Sequence, residues 1–457
     1  MTENNSSSEL KCGADVIDGS TDPDIASVLH RDSSFRSLLP ILARGIGWST
    51  SARIVSVVGS TLRFVIFARL LSPVNFGIFG AAVFCFEFLY DALEPNFEVA
   101  LVPMEKEIKS YLNTIWTVQL VKAALISLIL YLAAHELALY FKLGAVDAIF
   151  VALIPVALLR GSKSPASTAL ISRELNFRVS FVLCVAENVF GFLGGLVALF
   201  WWRDWRVLVI SITIAQAART TITYYYYPYR PRLEIDWVRA REMFLFGRWI
   251  TLKQVALFVA SKLDNLAVGH LLGPVALAEY QMAFRIGEVP VSEFAISASA
   301  VSFPLSARFK GNSKKGAHLF YVTIGMGALI GFSYCGVMFE WGPELVSRLL
   351  GPKWLNVIGP LEILCLYGVS QGVLAIGTSF LEGLGRPSKS FQISLLRAAL
   401  LAVLIYPLTI GFGTRGAAIA GLVSLIPPLL QMYFQWRRTI GRDAESLPEL
   451  SVAKIVV

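Results

Sequence analysis

Apolar runs, each about the length that crosses a bilayer, recur along this chain between short polar connections. A membrane-spanning helix needs roughly 20 apolar residues. On that scale the pattern predicts twelve spans, at about 45–70, 75–101, 113–133, 146–171, 179–202, 206–228, 245–271, 276–305, 317–341, 357–381, 391–411 and 414–436. The polar residues inside the first two runs are ordered. Arg53, Ser56, Ser60 and Arg63 are spaced three, four and three apart, and Glu87, Asp91, Glu94 and Glu98 four, three and four, so each set occupies one helical face.

The stretch Trp48–Pro103 returns without a gap as Trp249–Pro304, 201 residues later, with twelve identities. Both copies keep a Leu-Leu-x-Pro-Val turn, at Leu70 to Val74 and at Leu271 to Val275. The chain therefore reads as one unit used twice. Its expected parts are an N-terminal six-helix lobe (45–228), a cytoplasmic linker (229–244) and a C-terminal six-helix lobe (245–436). Residues 1–44, which include Asn4, Asn5, Asp15 and Asp18, are too polar to bury a core and are expected to form a disordered cytoplasmic tail. A second cytoplasmic tail covers 437–457. An even number of spans per lobe makes the second lobe enter the membrane in the same sense as the first. The expected class is thus an all-α integral membrane protein of about twelve transmembrane helices, its two lobes related by a pseudo-two-fold axis along the membrane normal, with a cavity between them.

Composition supports the class: 55% hydrophobic residues, 16% charged residues and a mean hydropathy of +0.63 do not describe a soluble enzyme. The start of the chain lacks the apolar core and cleavage site of a signal peptide, so the first span is expected to be an uncleaved anchor. Counting Lys and Arg in the connections gives twenty-two on the side of the termini and six on the other, which places both termini in the cytoplasm. The formal charge of +8 then reports topology rather than nucleic-acid binding. Cys85, Cys184, Cys335 and Cys365 lie in apolar runs and read as buried small hydrophobes, and the four histidines have no metal-ligand spacing. No metal, cofactor or enzymatic activity is expected. Arg160-Gly161-Ser162-Lys163-Ser164 also lacks the spacing of a phosphate-cradling loop. The clusters Trp201, Trp202, Trp205 and Tyr224 to Tyr227 mark interfaces.

A charge at a helix centre costs roughly 2.5–3.5 kcal/mol on the insertion scale, so those retained should face a partner or a wet cavity. If spans one and two form a hairpin turning at Ser72 and Pro73, Arg53 lies level with Asp91 and Glu94, and Arg63 about one turn outward of Glu87. The second copy brings Lys253 level with Glu293, and Lys262 and Asp264 near Arg285. Lys122, Arg160, Lys163, Glu187 and Arg219 add further charge. The alternatives are ion pairs that lock neighbouring helices and a partly cationic cavity suited to an anionic, hydrated cargo. Glu87, Asp91, Asp264 and Glu288 are candidates for binding a coupling proton or sodium ion.

Ala68-Arg69-Leu70-Leu71-Ser72-Pro73-Val74-Asn75-Phe76-Gly77-Ile78-Phe79 resembles the first-hairpin signature, R-L-L-x-P-x-x-F-G-x-F, of the Wzx-type oligosaccharide flippases in the multidrug/oligosaccharidyl-lipid/polysaccharide exporter superfamily. Leu350-Gly351-Pro352-Lys353-Trp354 and Leu384-Gly385-Arg386-Pro387 are similar to weaker motifs of the same family, and the resemblance covers about residues 40–440. It implies a transporter that flips an undecaprenyl-pyrophosphate-linked oligosaccharide repeat unit across a bacterial cytoplasmic (inner) membrane by alternating access, for exopolysaccharide, capsule or O-antigen synthesis. Its partners would be that lipid-linked oligosaccharide, membrane lipid, and a polysaccharide polymerase with glycosyltransferases. The candidates for the pyrophosphate and sugar are Arg53, Arg63, Lys122, Arg160, Lys163 and Lys262. The alternatives are an ion-coupled multidrug exporter, which the acidic face of span two keeps open, and a membrane polymerase or glycosyltransferase, which the short outer connections disfavour.

Overall fold

Apolar sequence broken by Pro and Gly is what folds into packed helices with sharp joints, and that is the pattern observed. The computed structural model describes residues 35–94, 109–144, 146–167, 177–241, 243, 262–308, 313–384 and 386–445. The first unit holds α1 (Phe35–Leu70), most of α2 (Pro73–Ala92), α3 (Lys109–Leu132), α4 (Ala134–Tyr140), α5 (Ala148–Ala152), α6 (Ile154–Gly161), α7 (Phe177–Ala198) and α8 (Trp205–Tyr226). The second holds helical residues 262–272, α9 (Pro274–Gly287), α10 (Val289–Arg308), α11 (Ser313–Leu349), a 3₁₀ turn (Pro352–Val357), α12 (Ile358–Gly383), α13 (Pro387–Val423) and α14 (Ile426–Glu445). No strand occurs among the described residues, and eight of their helices are long and apolar enough to cross a membrane. Large apolar side chains that point outward, such as Leu132 (69% exposed) and Val403 (72%), suit a lipid surround. The chain is a multi-pass membrane protein.

The expected twelve runs and the observed helices differ where the backbone is interrupted. Span four is two short helices, because Pro155 enters at the first turn of α6 and the helix stops at Gly161. The freed backbone is satisfied from α8: Tyr224 Oη donates to the Ser162 carbonyl at 2.8 Å, Thr220 Oγ1 donates to the Leu159 carbonyl at 2.9 Å, and the Ser164 N–H donates to Thr223 Oγ1 at 3.3 Å. Unpaired backbone is tolerated at membrane depth only with such partners. Span eight breaks between Gly287 and Val289, ahead of Pro290, and expected span twelve is interrupted between Val423 and Ile426. The kink of α13 at Gly413, whose φ of 61° falls in the region that favours glycine, instead lies where the expected spans eleven and twelve join. Most of the expected seventh span, with Lys253 and Gln254, lies outside the described residues, as do both tails beyond Phe35 and Glu445 and the segment that holds Pro103.

The break at Gly161 needs a residue without a side chain. A Cβ there would lie 2.6 Å from Ala123 Cβ and 2.8 Å from the Gln119 carbonyl oxygen on α3. Gly161→Val should therefore destabilise the first unit by about 1–3 kcal/mol, read as a lowered midpoint of thermal unfolding.

The start of α2 and the second turn of the internal repeat meet within the second unit, to which Ser72–Gly80 belongs, while the rest of α2 from Ala81 belongs to the first. Gly77 sits against the Pro274 backbone, and the Phe76 ring packs edge-on to Trp354 with centroids 5.5 Å apart. Trp354 is fully buried. Elsewhere in this unit Phe320 stacks on Trp436 at 4.0 Å with Phe380 edge-on to both.

Candidate functional site

The charges inside the apolar helices gather into three groups. In the first, Arg63 on α1 reaches α7, where it faces Glu187, which accepts a 2.6 Å hydrogen bond from Arg219 Nη1 on α8. Gly191 makes room for it: a Cβ at that position would lie 2.3 Å from Arg63 Nη1. That nitrogen is buried and makes no hydrogen bond among the described residues. Two guanidinium groups against one carboxylate leave the group with a net positive charge. Arg53 stands ten residues earlier on α1 and is exposed.

The second group surrounds the acidic face of α2. Glu94 accepts from Lys122 Nζ at 2.6 Å and from Gln119 Nε2 at 2.9 Å, both on α3. Glu87 takes both its oxygens to Arg160 Nη1 on α6, at 2.9 and 3.1 Å. The Tyr90 ring lies between these pairs, 3.5 Å from Lys122 Nζ and 4.1 Å from the Arg160 guanidinium carbon, so it meets two cations on its π system. Asp91 lies in the field of both pairs, and Lys163 in that of Lys122. Three acids and three bases balance here.

The third group belongs to the second unit. Asp264 accepts from Tyr280 Oη at 2.8 Å and from Asn265 Nδ2 at 3.0 Å. Arg397 donates to Tyr367 Oη at 2.5 Å, and Glu288 sits at the α9–α10 break within the field of Lys262, Arg397 and Asp264. Gly368 of α12 brings its backbone close to that break: a Cβ there would lie 3.1 Å from Glu288 Cα.

The pairing differs from the one a simple hairpin suggests. Glu94 and Glu87 pair with Lys122 and Arg160, and Arg63 lies in the field of Glu187, because α1 packs along α7. Each candidate thus sits in a different surrounding: Arg63 in the first group, Lys122, Arg160, Lys163, Glu87 and Asp91 in the second, Lys262, Asp264 and Glu288 in the third. Sequence reasoning missed Gln119, Tyr90, Tyr280, Tyr367 and Arg397. Arg397 was findable as a lone charge within an apolar run, and Tyr90 by its place on the Glu87–Glu94 face. No cluster of metal-ligating residues occurs among the described residues.

Comparison with known proteins agrees with this architecture. By fold the chain is similar to a lipid II flippase, MurJ, in an inward closed conformation, with a TM-score of 0.69 at 14% identity over 86% of this chain and 89% of that one. A transporter of the multidrug/oligosaccharidyl-lipid/polysaccharide superfamily from Pyrococcus furiosus follows, at a TM-score of 0.57 and 14% identity over 88% and 96% of the two chains. By sequence it is 23% identical to the succinoglycan biosynthesis transport protein ExoT of Rhizobium meliloti, over 78% of this chain and 72% of the relative. It is 19% identical to the teichuronic acid biosynthesis protein TuaB of Bacillus subtilis, over 78% and 74%. Residues 66–359 match the family described as polysaccharide biosynthesis protein, and since that is more than half of the chain, the protein belongs to this family.

Proposed function

We propose that the protein flips an undecaprenyl-pyrophosphate-linked oligosaccharide repeat unit from the inner to the outer leaflet of a bacterial cytoplasmic membrane, with both termini in the cytoplasm. Family membership and the transport relatives support the reading. The observation that carries it for this chain is Arg63, a membrane-embedded arginine whose buried Nη1 has no hydrogen bond among the described residues and whose group has surplus positive charge. A guanidinium presents paired donors that match phosphate oxygens. Arg53, on the same face of α1, would extend the contact along a pyrophosphate. Lys122, Arg160, Lys163 and Lys262 are further contacts that become available if their pairs open during alternating access. No covalent step is required, since the lipid-linked sugar leaves as it arrived. The multidrug-exporter reading rested on the acids of α2, and Glu87 and Glu94 already have cationic partners.

Arg63→Ala should reduce polysaccharide export about tenfold or more with the protein level in the membrane unchanged, because a lost charge-assisted hydrogen bond is worth about 1.5–3 kcal/mol. Arg53→Ala should act in the same direction. Export in a strain lacking its own flippase measures this, and normal polysaccharide from both variants would remove them from the cargo site.

Coupling is proposed to run through Asp264 and Glu288, the buried carboxylates of the third group, with Glu87 and Asp91 as the alternative in the first unit. Collapsing the proton and sodium gradients should then stop transport in vesicles. Unchanged flipping would leave these acids with a structural role. A polymerase and glycosyltransferases acting on the exported unit complete the proposed setting.

A further inference from the structure

A cavity of about 900 Å³ opens in the first unit at the level of Trp202 and Trp205, and it shares no lining residue with the three charged groups. Its walls are apolar, from Val151 and Pro155 on α5 and α6 and from Val209, Ile210 and Ile214 on α8. Its polar lining carries both signs of charge. Arg206 is half-exposed, lies 5.6 Å over the Trp205 ring and forms a surface ion pair with Asp204 at 3.7 Å, a contact loose enough to leave guanidinium donors for a second anion. Asp147 opens α5, yet its carboxylate makes no capping hydrogen bond to the helix.

We infer that this cavity seats the headgroup and the upper part of an acyl chain of one phosphatidylethanolamine molecule. Tryptophans at this level mark the boundary between headgroups and acyl chains, so the cavity is bathed in lipid rather than water. Its volume lies within the range of about 300–1,000 Å³ typical of small-ligand pockets, enough for a headgroup and part of a chain. The charge pattern selects the headgroup. A phosphodiester meets Arg206, and the primary ammonium donates hydrogen bonds to Asp147. A glycerol headgroup supplies no cation for Asp147, and choline supplies no N–H donor. Because α5 and α6 form one wall, the lipid would brace the helix that carries Arg160.

Native mass spectrometry of the full-length protein in detergent, titrated separately with palmitoyl-oleoyl phosphatidylethanolamine, phosphatidylglycerol and phosphatidylcholine, tests this. The ethanolamine lipid should be retained about tenfold more tightly than the other two, the size of effect expected from a charge-assisted hydrogen bond. Asp147→Asn should erase its advantage over the choline lipid, and Arg206→Ala should weaken all three. Arg206 is exposed and Asp147 half-buried, and neither lies in the core, so these variants should fold, as an unchanged gel-filtration profile would verify. Val151→Trp should fill the cavity and remove the adduct. Equal retention of phosphatidylglycerol, or an ethanolamine adduct that survives Val151→Trp, would overturn the assignment.

Discussion

Gly77→Val should all but eliminate folded protein from the membrane. A Cβ at Gly77 would stand 1.7 Å from the Pro274 carbonyl oxygen and 2.3 Å from its carbon, and both atoms are backbone of the turn that opens α9. A side chain in the way can rotate aside; a proline-fixed turn cannot. Overpacking costs typically about 1–3 kcal/mol and more where backbone must move. Trp354→Ala removes the ring on which Phe76 packs and should cost about 3–5 kcal/mol by the usual measure of a buried aromatic. Against a typical total of roughly 5–15 kcal/mol, either change is severe. Gly80→Ala is the internal control, since the atoms nearest its Cβ are the end of the Gln281 side chain, which can turn away. Immunoblots of membrane fractions and thermal unfolding of purified protein separate the three. A Gly77→Val protein as abundant as wild type would show that the joint between the two repeat turns is looser than described.

Lys122→Met should be nearly as damaging, and Lys122→Met with Glu94→Gln much less so. The pair is short, with side chains only 4% and 18% exposed. Removing one partner strands a buried charge at about 3–5 kcal/mol, whereas replacing both with neutral groups of similar size is often neutral. Gln119 would still donate to the residue at 94, and the methionine would keep its contact with the Tyr90 ring. The double variant also separates structure from transport. If it folds and exports normally, Lys122 is a structural residue; if it folds and fails to export, Lys122 joins Arg63 among the proposed cargo contacts.

Much of this was legible in the sequence, for identifiable reasons. Membrane class follows from apolar runs that cannot be hidden in a soluble fold of this length, and the repeat shows itself in Leu-Leu-x-Pro-Val. The charged faces of α1 and α2 were visible because any charge stands out in an apolar run. Their partners were not. A helical face says which residues point together, but the helix that covers it is set by packing, and α1 lies along α7, which begins more than a hundred residues later. The signature motif was recognised as a pattern without its cause. That cause is tertiary: Phe76 needs Trp354 of the second motif, and Gly77 needs the turn of the other repeat. Breaks at Gly161 and Gly287 escaped because hydropathy counts residues and does not ask which carbonyl finds a donor. Tyr280 and Tyr367 escaped because a tyrosine in an apolar run reads as core until its hydroxyl is seen to bond Asp264 or Arg397.

In the proposed function a lipid-linked, pyrophosphate-bearing oligosaccharide crosses the membrane through this protein with Arg63 in contact with the anion. Reconstitution in liposomes tests it most directly, by following how fast a fluorescent undecaprenyl-pyrophosphate oligosaccharide in the inner leaflet becomes accessible to a glycosidase added outside. Rapid exposure is expected with wild-type protein, and exposure slowed about tenfold or more with Arg63→Ala. Exposure no faster than in protein-free liposomes, or equal rates for the two proteins, would contradict it.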